Sequence, residues 1–514
     1  MPSSRVAGVT IPLSAIRTRA DWGIGQITDL PACAAWIARA GHRLLQILPP
    51  YELALGETSP YGARTAFGLD PIYISPEAIE DLEEGAIFER IGASGRAELE
   101  RLRATARVDY AGVRALKGRV LNLAFERFHA REWLRDTARA NALRQFMERE
   151  KTWAADLALY VALRDLHGGL GWGDWPVGER DRDPASLERV REKLEMRVLE
   201  HQYGQWIAHA QWDRARDEMR RIGVELMGDM PFVVCGESAD VWARSAQFKR
   251  HLSLGAPPDA FTPEGQDWGL PPYDWQEMGK DDLAWLRART RHAARLYDRF
   301  RLDHVVGYFR MWVREPGQKG YFEPRDEDAQ RAHGERVLRA IIEDAGPSRV
   351  IAEDLGVIPP FVRETMHRLG LPGYRVIPWE KGDDGRFRDP KQFPEESVAT
   401  WSTHDTMPIT AWWSELSDYD RGQLAHLAGV SLDAPDAVRD RALMGALLAS
   451  GSSLTLALAP ELLGERARIN TPGTVDAANW TYRLPMPLED LARDPQVNAR
   501  LAELLSMATE ASRV

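Results

Sequence analysis

A chain of 514 residues, 44% apolar and 28% charged, has the make-up of a globular, water-exposed protein, and no apolar run approaches the roughly 18 to 20 residues of a membrane span. A formal net charge of −11 repels phosphate backbones and anionic lipid, so nucleic acid and membrane are poor partners; a neutral ligand fits better, and 18 Trp and 13 Tyr permit a sugar reading although most of them will be core. Cys33 and Cys235 lack metal-like spacing and read as buried free thiols rather than a disulfide or zinc site, and the absence of a signal-like h-region after Met1 predicts a cytoplasmic protein.

Taken in order, residues 6–11 form a short apolar run stopped by Pro12, a candidate first strand. A helical pattern over 30–40 ends at Gly41, and residues 43–48 make a second strand stopped by Pro49 and Pro50, which completes a β-α-β unit. The loop 59–67 has small residues and a proline that would hold Tyr61 out over the strand ends. From 76 to 221 the pattern turns helical, with segments at 97–105, 110–129, 137–149, 153–167 and 184–221, the last capped by Asp183 ahead of Pro184. This stretch is too long for a simple crossover and is read as a helical insertion subdomain. Residues 224–232 give a third strand with Asp229 near its tip. Residues 251–278, dense in Gly, Pro and aromatic side chains, are read as a long loop acting as an active-site lid.

Strands four to eight fall at 301–303, 351–353, 374–379, 398–403 and 453–461, with helices between them at 330–345, 360–369, 408–414 and 437–450. Eight strands separated by helical segments predict an α/β fold, a (β/α)8 TIM barrel spanning 1–514 as a single catalytic domain, with helices after Leu484 and no C-terminal β-sandwich.

In that architecture the C-terminal strand ends carry the chemistry. Three predicted strands end in acids: Arg301-Leu302-Asp303, Ile351-Ala352-Glu353, and 398–403 running into His404-Asp405. Any one of these acids alone reads better as a helix cap or a solvated loop residue; three at matching strand ends point to one mouth. Breaking a glycosidic bond needs a carboxylate at the anomeric carbon and a carboxylic acid to protonate the departing oxygen. Asp303 is read as the nucleophile, with Arg301 on the same strand face to orient it and hold its charge. Glu353, whose longer side chain reaches the leaving oxygen, is read as general acid and base. Asp405 with His404 would hold the hydroxyls of the distorted ring, and a third acid nearby helps keep its neighbour protonated at neutral pH.

The three acid motifs resemble those of the α-amylase clan. Gln46-Ile47-Leu48-Pro49, Ser59-Pro60-Tyr61, Gly228-Asp229-Met230-Pro231, Ser238-Ala239-Asp240-Val241-Trp242, the loop from Pro257-Pro258-Asp259 to Gln266-Asp267-Trp268-Gly269, Asn470, Pro472-Gly473-Thr474 and Asn479-Trp480 are similar to the 4-α-glucanotransferase family (amylomaltase, disproportionating enzyme) over nearly the whole chain. The resemblance implies the same roles for the three acids, a substrate contact at Ser59, Tyr61 stacked under the sugar being cleaved, and Asp259 and Trp268 on the acceptor side. It implies maltooligosaccharide and α-1,4-glucan donors, glucose or glucan acceptors, a retaining double displacement, and no metal or organic cofactor. Thr406 and Met407 follow the His-Asp pair where one common form of the family has Asn, Leu270 replaces another expected Asn, and 312–323 is short; these departures bear on acceptor choice and on how open the rim is. Two rival readings are a maltodextrin-hydrolysing enzyme of the same clan and a catalytically inactive glucan-binding barrel.

Overall fold

Eight parallel strands close into a barrel in the computed structural model, which describes residues 5–258, 265–346 and 349–514. In chain order the strands are β1 (Val6–Thr10), β2 (Leu44–Gln46), β3 (Glu225–Met230), β4 (Ser253–Ala256), β5 (Gln266–Leu270), β6 (Arg299–Leu302), β7 (Met311–Arg314), β8 (Tyr321–Glu323), β9 (Val350–Ala352), β10 (Gly373–Val376), β11 (Ser397–Thr400) and β12 (Leu454–Leu458). The barrel runs β1-β2-β3-β6-β9-β10-β11-β12 and closes where β12 pairs in parallel with β1, Val6 opposite Leu454 and Thr10 opposite Leu458. The eight strands expected from the sequence are these eight, and the fold is a (β/α)8 barrel.

Period-two alternation along short, doubly covered strands gives two apolar layers. Leu44, Met227, Ile351, Tyr374, Val398, Leu454 and Leu456 pack together as one cluster inside the barrel. Their chain neighbours Leu45, Leu226, Ala352, Ala399 and Ala457 join the larger core beneath the helices. Gly228 is obligatory in β3, since a Cβ there would lie 2.3 Å from the ring of the fully buried Tyr297.

Between β2 and β3 stand helices Glu84–Ala104, Tyr110–Arg131, Ala138–Arg149, Ala154–Leu166, Pro184–Lys193 and Glu195–Ile222. The first is two helical segments meeting at Gly92, whose φ of 65° is not helical; the helix expected from residue 97 is part of the second segment, which begins a few residues earlier. Asp183 caps the helix behind it by accepting from the Ser186 N–H. The last helix ends at Gly223, whose left-handed φ of 81° turns the chain into β3.

The region read as a structureless lid departs from that reading: it holds β4 and β5, which join β7 and β8 in an antiparallel sheet ordered β5-β4-β7-β8. Its strands are too short and too rich in glycine and aromatic residues for alternation to mark them, and the pairing comes from the 311–323 hairpin far along the chain. Asp259 lies outside the described residues. After Leu458 the described elements are helices and loops, ending in helices Leu488–Leu491 and Pro495–Glu510. Among the described residues no helix is long and apolar enough to cross a membrane.

Candidate active site

The C-terminal ends of β6, β9 and β11 deliver charged side chains to one cavity of about 710 Å³, whose wall also carries Pro231 and Phe232 from the end of β3. Arg301 sits at its centre, 8% exposed. Its Nη1 donates to both oxygens of Asp229, at 3.0 and 2.8 Å, and its Nη2 lies 2.8 Å from Asp303 Oδ1 and 3.6 Å from Glu353 Oε2. One guanidinium thus gathers three carboxylates from three neighbouring strands. Asp303 Oδ2 also accepts from the backbone N–H of Phe232 at 3.2 Å, so neither oxygen of that carboxyl is free to rotate.

Glu353 is fixed by main chain. Its Oε2 accepts from the His304 N–H at 2.9 Å and its Oε1 from the Leu355 N–H at 2.8 Å. The first of these bonds depends on His304 adopting a left-handed backbone, φ 48°, an uncommon state for a residue with a side chain and one that concentrates at functional sites. Burial pushes the Glu353 carboxyl up to about 7, with the charge of Asp303 adding to the rise and Arg301 and the two N–H donors opposing it. Asp229 is also raised, first by burial and then by Asp303, against the pull of Arg301. Burial lowers the His304 imidazole to about 4, and the Trp268 indole packs edge-on against that ring at 5.0 Å between centroids.

Across the cavity, Tyr61 donates to Asp229 Oδ2 at 2.8 Å and its oxygen lies 3.0 Å from His404 Nε2. Burial and the Asp229 charge hold the Tyr61 hydroxyl well above its ordinary value, so the tyrosine keeps its proton and His404 Nε2 is the donor toward it. The two rings stack at 5.5 Å with planes 20° apart. His404 Nε2 is also 3.3 Å from Asp405 Oδ2, and Asn470 donates to Asp405 Oδ1 at 2.7 Å. Burial opposes charge on both members of the His404–Asp405 pair. The imidazole and the Asn470 amide nevertheless hold Asp405 well below the usual carboxylate range, and Asp405 raises His404 in return.

Of the residues singled out in the sequence, Asp303, Glu353, Asp405, Arg301, His404, Tyr61, Ser59 and Trp268 all line this cavity. Asp229, expected near a strand tip and within the motif Gly228-Asp229-Met230-Pro231 but given no role there, is fully buried beneath Arg301. Tyr374 and the half-exposed Trp379, also on the wall, were read only as strand residues. Thr406 is occupied locally: its hydroxyl accepts from the Thr403 N–H at 2.8 Å and closes the turn that carries Asp405. Leu270 is on the cavity wall beside Trp268. Cys33 is buried, but Cys235 corrects the expectation of two buried thiols, being half-buried on the loop after β3 and facing the cavity. Among the described residues no group of three or more His, Cys, Asp or Glu side chains is arranged to hold a metal ion.

Residues 11–489 match the model of the family described as 4-alpha-glucanotransferase. The chain is 29% identical over 513 residues to the 4-alpha-glucanotransferase of Chlamydia pneumoniae, covering 97% of this chain and 95% of that protein. It is 32% identical over 492 residues to that of Thermus thermophilus, covering 92% and 93%. Its backbone is similar to the solved structure of an amylomaltase from Streptococcus agalactiae in complex with acarbose, with a TM-score of 0.84 and 24% identity over 98% of this chain and 99% of that one.

Proposed function

The chain belongs to the 4-alpha-glucanotransferase family, and on that premise we propose that it moves a segment of an α-1,4-glucan to the 4-hydroxyl of a glucose or glucan acceptor by a retaining double displacement. Asp303 attacks the anomeric carbon while Glu353 gives its proton to the departing glycosidic oxygen, leaving a covalent glucosyl-enzyme and a released sugar. Glu353, now a base, takes the proton from the acceptor 4-hydroxyl, which displaces Asp303 and restores both groups. Arg301 orients the nucleophile, and Asp405 with His404 binds the hydroxyls of the distorted ring more strongly as the transition state forms. The route as drawn uses no metal or organic cofactor.

The observation that carries this reading is the single Arg301 nitrogen within 2.8 Å of Asp303 and 3.6 Å of Glu353. A shared neighbour that close draws the two facing oxygens together and favours the roughly 5–5.5 Å carboxyl spacing of a retaining pair over the roughly 6.5–9.5 Å of an inverting one. A Glu353 carboxyl near 7 supports the acid-then-base role, since it can both give and take a proton at neutral pH.

Transfer instead of hydrolysis requires a sugar hydroxyl to outcompete water. We assign that task to a cover formed by 251–278, with Trp268 and Asp259 contacting the acceptor, Tyr61 stacking under the sugar being cleaved and Ser59 beside it. The substrates are maltooligosaccharides and longer α-1,4-glucans with glucose as the smallest acceptor, the setting is the cytoplasm, and 76–221 is a helical subdomain grafted on the catalytic barrel. Incubation with maltotriose tests the reading. Wild type should yield glucose and longer chains with total reducing ends constant, and Glu353→Gln should yield neither. Rising reducing ends would make the protein a hydrolase, and an unchanged sugar pool would make it a binding barrel.

A further inference from the structure

Glu461 is fully buried in the short helix Ala459–Leu463 just past β12, away from the cavity wall, yet two of its three hydrogen bonds reach the turn that carries His404 and Asp405. Its Oε1 accepts from Ser402 Oγ at 2.7 Å and from the Ile409 N–H at 2.9 Å, the two ends of that turn; its Oε2 accepts from the Leu458 N–H at 2.9 Å, at the tip of β12. All three donors are neutral. Burial without a cation raises the Glu461 carboxyl above its ordinary range, and the bonds from Ile409, Ser402 and Leu458 are what oppose that rise.

Inside the turn the bonds are local. Thr403 N–H donates to Thr406 Oγ1, and Thr406 N–H returns to the Thr403 carbonyl at 3.1 Å. Such a loop holds its own shape but not its place relative to the barrel. Asn470 grips the Asp405 carboxylate, Arg468 donates to the Asp405 carbonyl at 3.1 Å, and Glu461 holds the two ends of the turn.

We infer that Glu461 is a positioning residue for the transfer reaction: by anchoring both ends of 402–409 to the tip of β12 it fixes where Asp405 and His404 meet the sugar ring. The inference rests on Asp405 acting on the sugar as proposed above. A carboxylate serving only to cap a five-residue helix would need just the Leu458 bond; the two bonds to the turn are what capping leaves unexplained.

The chemistry of the three donors dictates the test. The Ser402 hydroxyl also lies 3.0 Å from the Met407 carbonyl, but the Ile409 and Leu458 N–H groups sit on different oxygens of Glu461, so Glu461→Gln sets an NH2 group against a backbone N–H whichever way the amide turns, with almost no change in volume. Full-length Glu461→Gln, Glu461→Asp, Ser402→Ala and Asp405→Asn are assayed for maltotriose disproportionation per mole of folded enzyme, alongside Tm. Displacing a catalytic group by about 1 Å costs on the order of 100-fold, so kcat of Glu461→Gln should fall about 10- to 100-fold with KM within about threefold of wild type. Glu461→Asp, which keeps a carboxylate, should recover part of the loss, and Ser402→Ala should lower kcat with Tm little changed.

Folded Glu461→Gln with kcat within twofold of wild type overturns the inference whatever its Tm; should that variant not fold, wild-type kcat in Ser402→Ala overturns it. Full activity in Asp405→Asn would instead remove the reading of the site on which the inference stands. Loss in Asp405→Asn together with full activity in Glu461→Gln would remove the inference alone.

Discussion

Arg301 and Asp229 form a buried two-point pair, one guanidinium nitrogen reaching both carboxylate oxygens, at 3.0 and 2.8 Å. Asp229 thereby takes up one end of the guanidinium and aims the other at Asp303 and Glu353. In Asp229→Ala the cation stays buried with its anchor gone, which costs about 3–5 kcal/mol when a buried pair loses one member. Urea denaturation should show that loss, and kcat should fall by more than tenfold even at temperatures where the variant is folded. A fully active, equally stable Asp229→Ala would mean that Asp303 and Glu353 alone hold Arg301.

Glu353 sets the alkaline side of the pH profile. With its carboxyl at about 7, the proton needed by the leaving oxygen is present below that pH and is lost above it, so glucosyl-enzyme formation should slow about tenfold per pH unit beyond the break. Burial is the larger cause of the rise and the Asp303 charge the next in the same direction, so Asp303→Asn should move the Glu353 titration downward. Carboxyl difference infrared spectroscopy can follow it. An upward or absent movement would contradict the assignment. Glu353→Gln should lose about 10²- to 10⁴-fold in maltotriose turnover, whereas formation of the glucosyl-enzyme from a glycosyl fluoride, whose leaving group needs no proton, should be far less impaired.

Tyr61→Phe keeps the ring and deletes the hydroxyl that joins Asp229 to His404. A hydrogen bond to a charged partner is worth about 1.5–3 kcal/mol, so kcat/KM should drop by about one to two orders of magnitude, whereas Tyr61→Ala should also raise KM because the stacking face is gone. Equal KM in the two variants would argue against stacking.

Trp268 packs on His304 at the cavity edge. Trp268→Ala should weaken acceptor binding by about 0.5–1.5 kcal/mol, seen as a several-fold higher KM for glucose as acceptor, and should admit water to the glucosyl-enzyme. The measured sign is a rise in reducing ends during maltotriose turnover. A variant that stays as strict a transferase as wild type would move water exclusion elsewhere in the cover.

The barrel was legible because a buried parallel strand is a short apolar run closed by proline, glycine or an acid, the form that β1, β2, β9 and β12 have. Asp303, Glu353 and Asp405 were conspicuous because each interrupts such a run at its end. What sequence patterns did not carry was pairing at a distance. The strand of Trp268 is in a sheet completed by Met311–Arg314 and Tyr321–Glu323, and nothing local announces that partner. The left-handed His304 that turns its N–H onto Glu353 is a backbone property with no residue signature here, since histidine adopts it without the glycine that would advertise it. Asn470, 65 residues after Asp405, was legible only through family likeness.

The seam between β1 and β12 has a consequence for biosynthesis. Residues 6–10 leave the ribosome long before their partners at 454–458, so while the chain between them is being made the nascent sheet has two bare edges. Those edges are templates for pairing with another molecule until the late strand arrives, and a chaperone that shields them would act before any glucan can be handled.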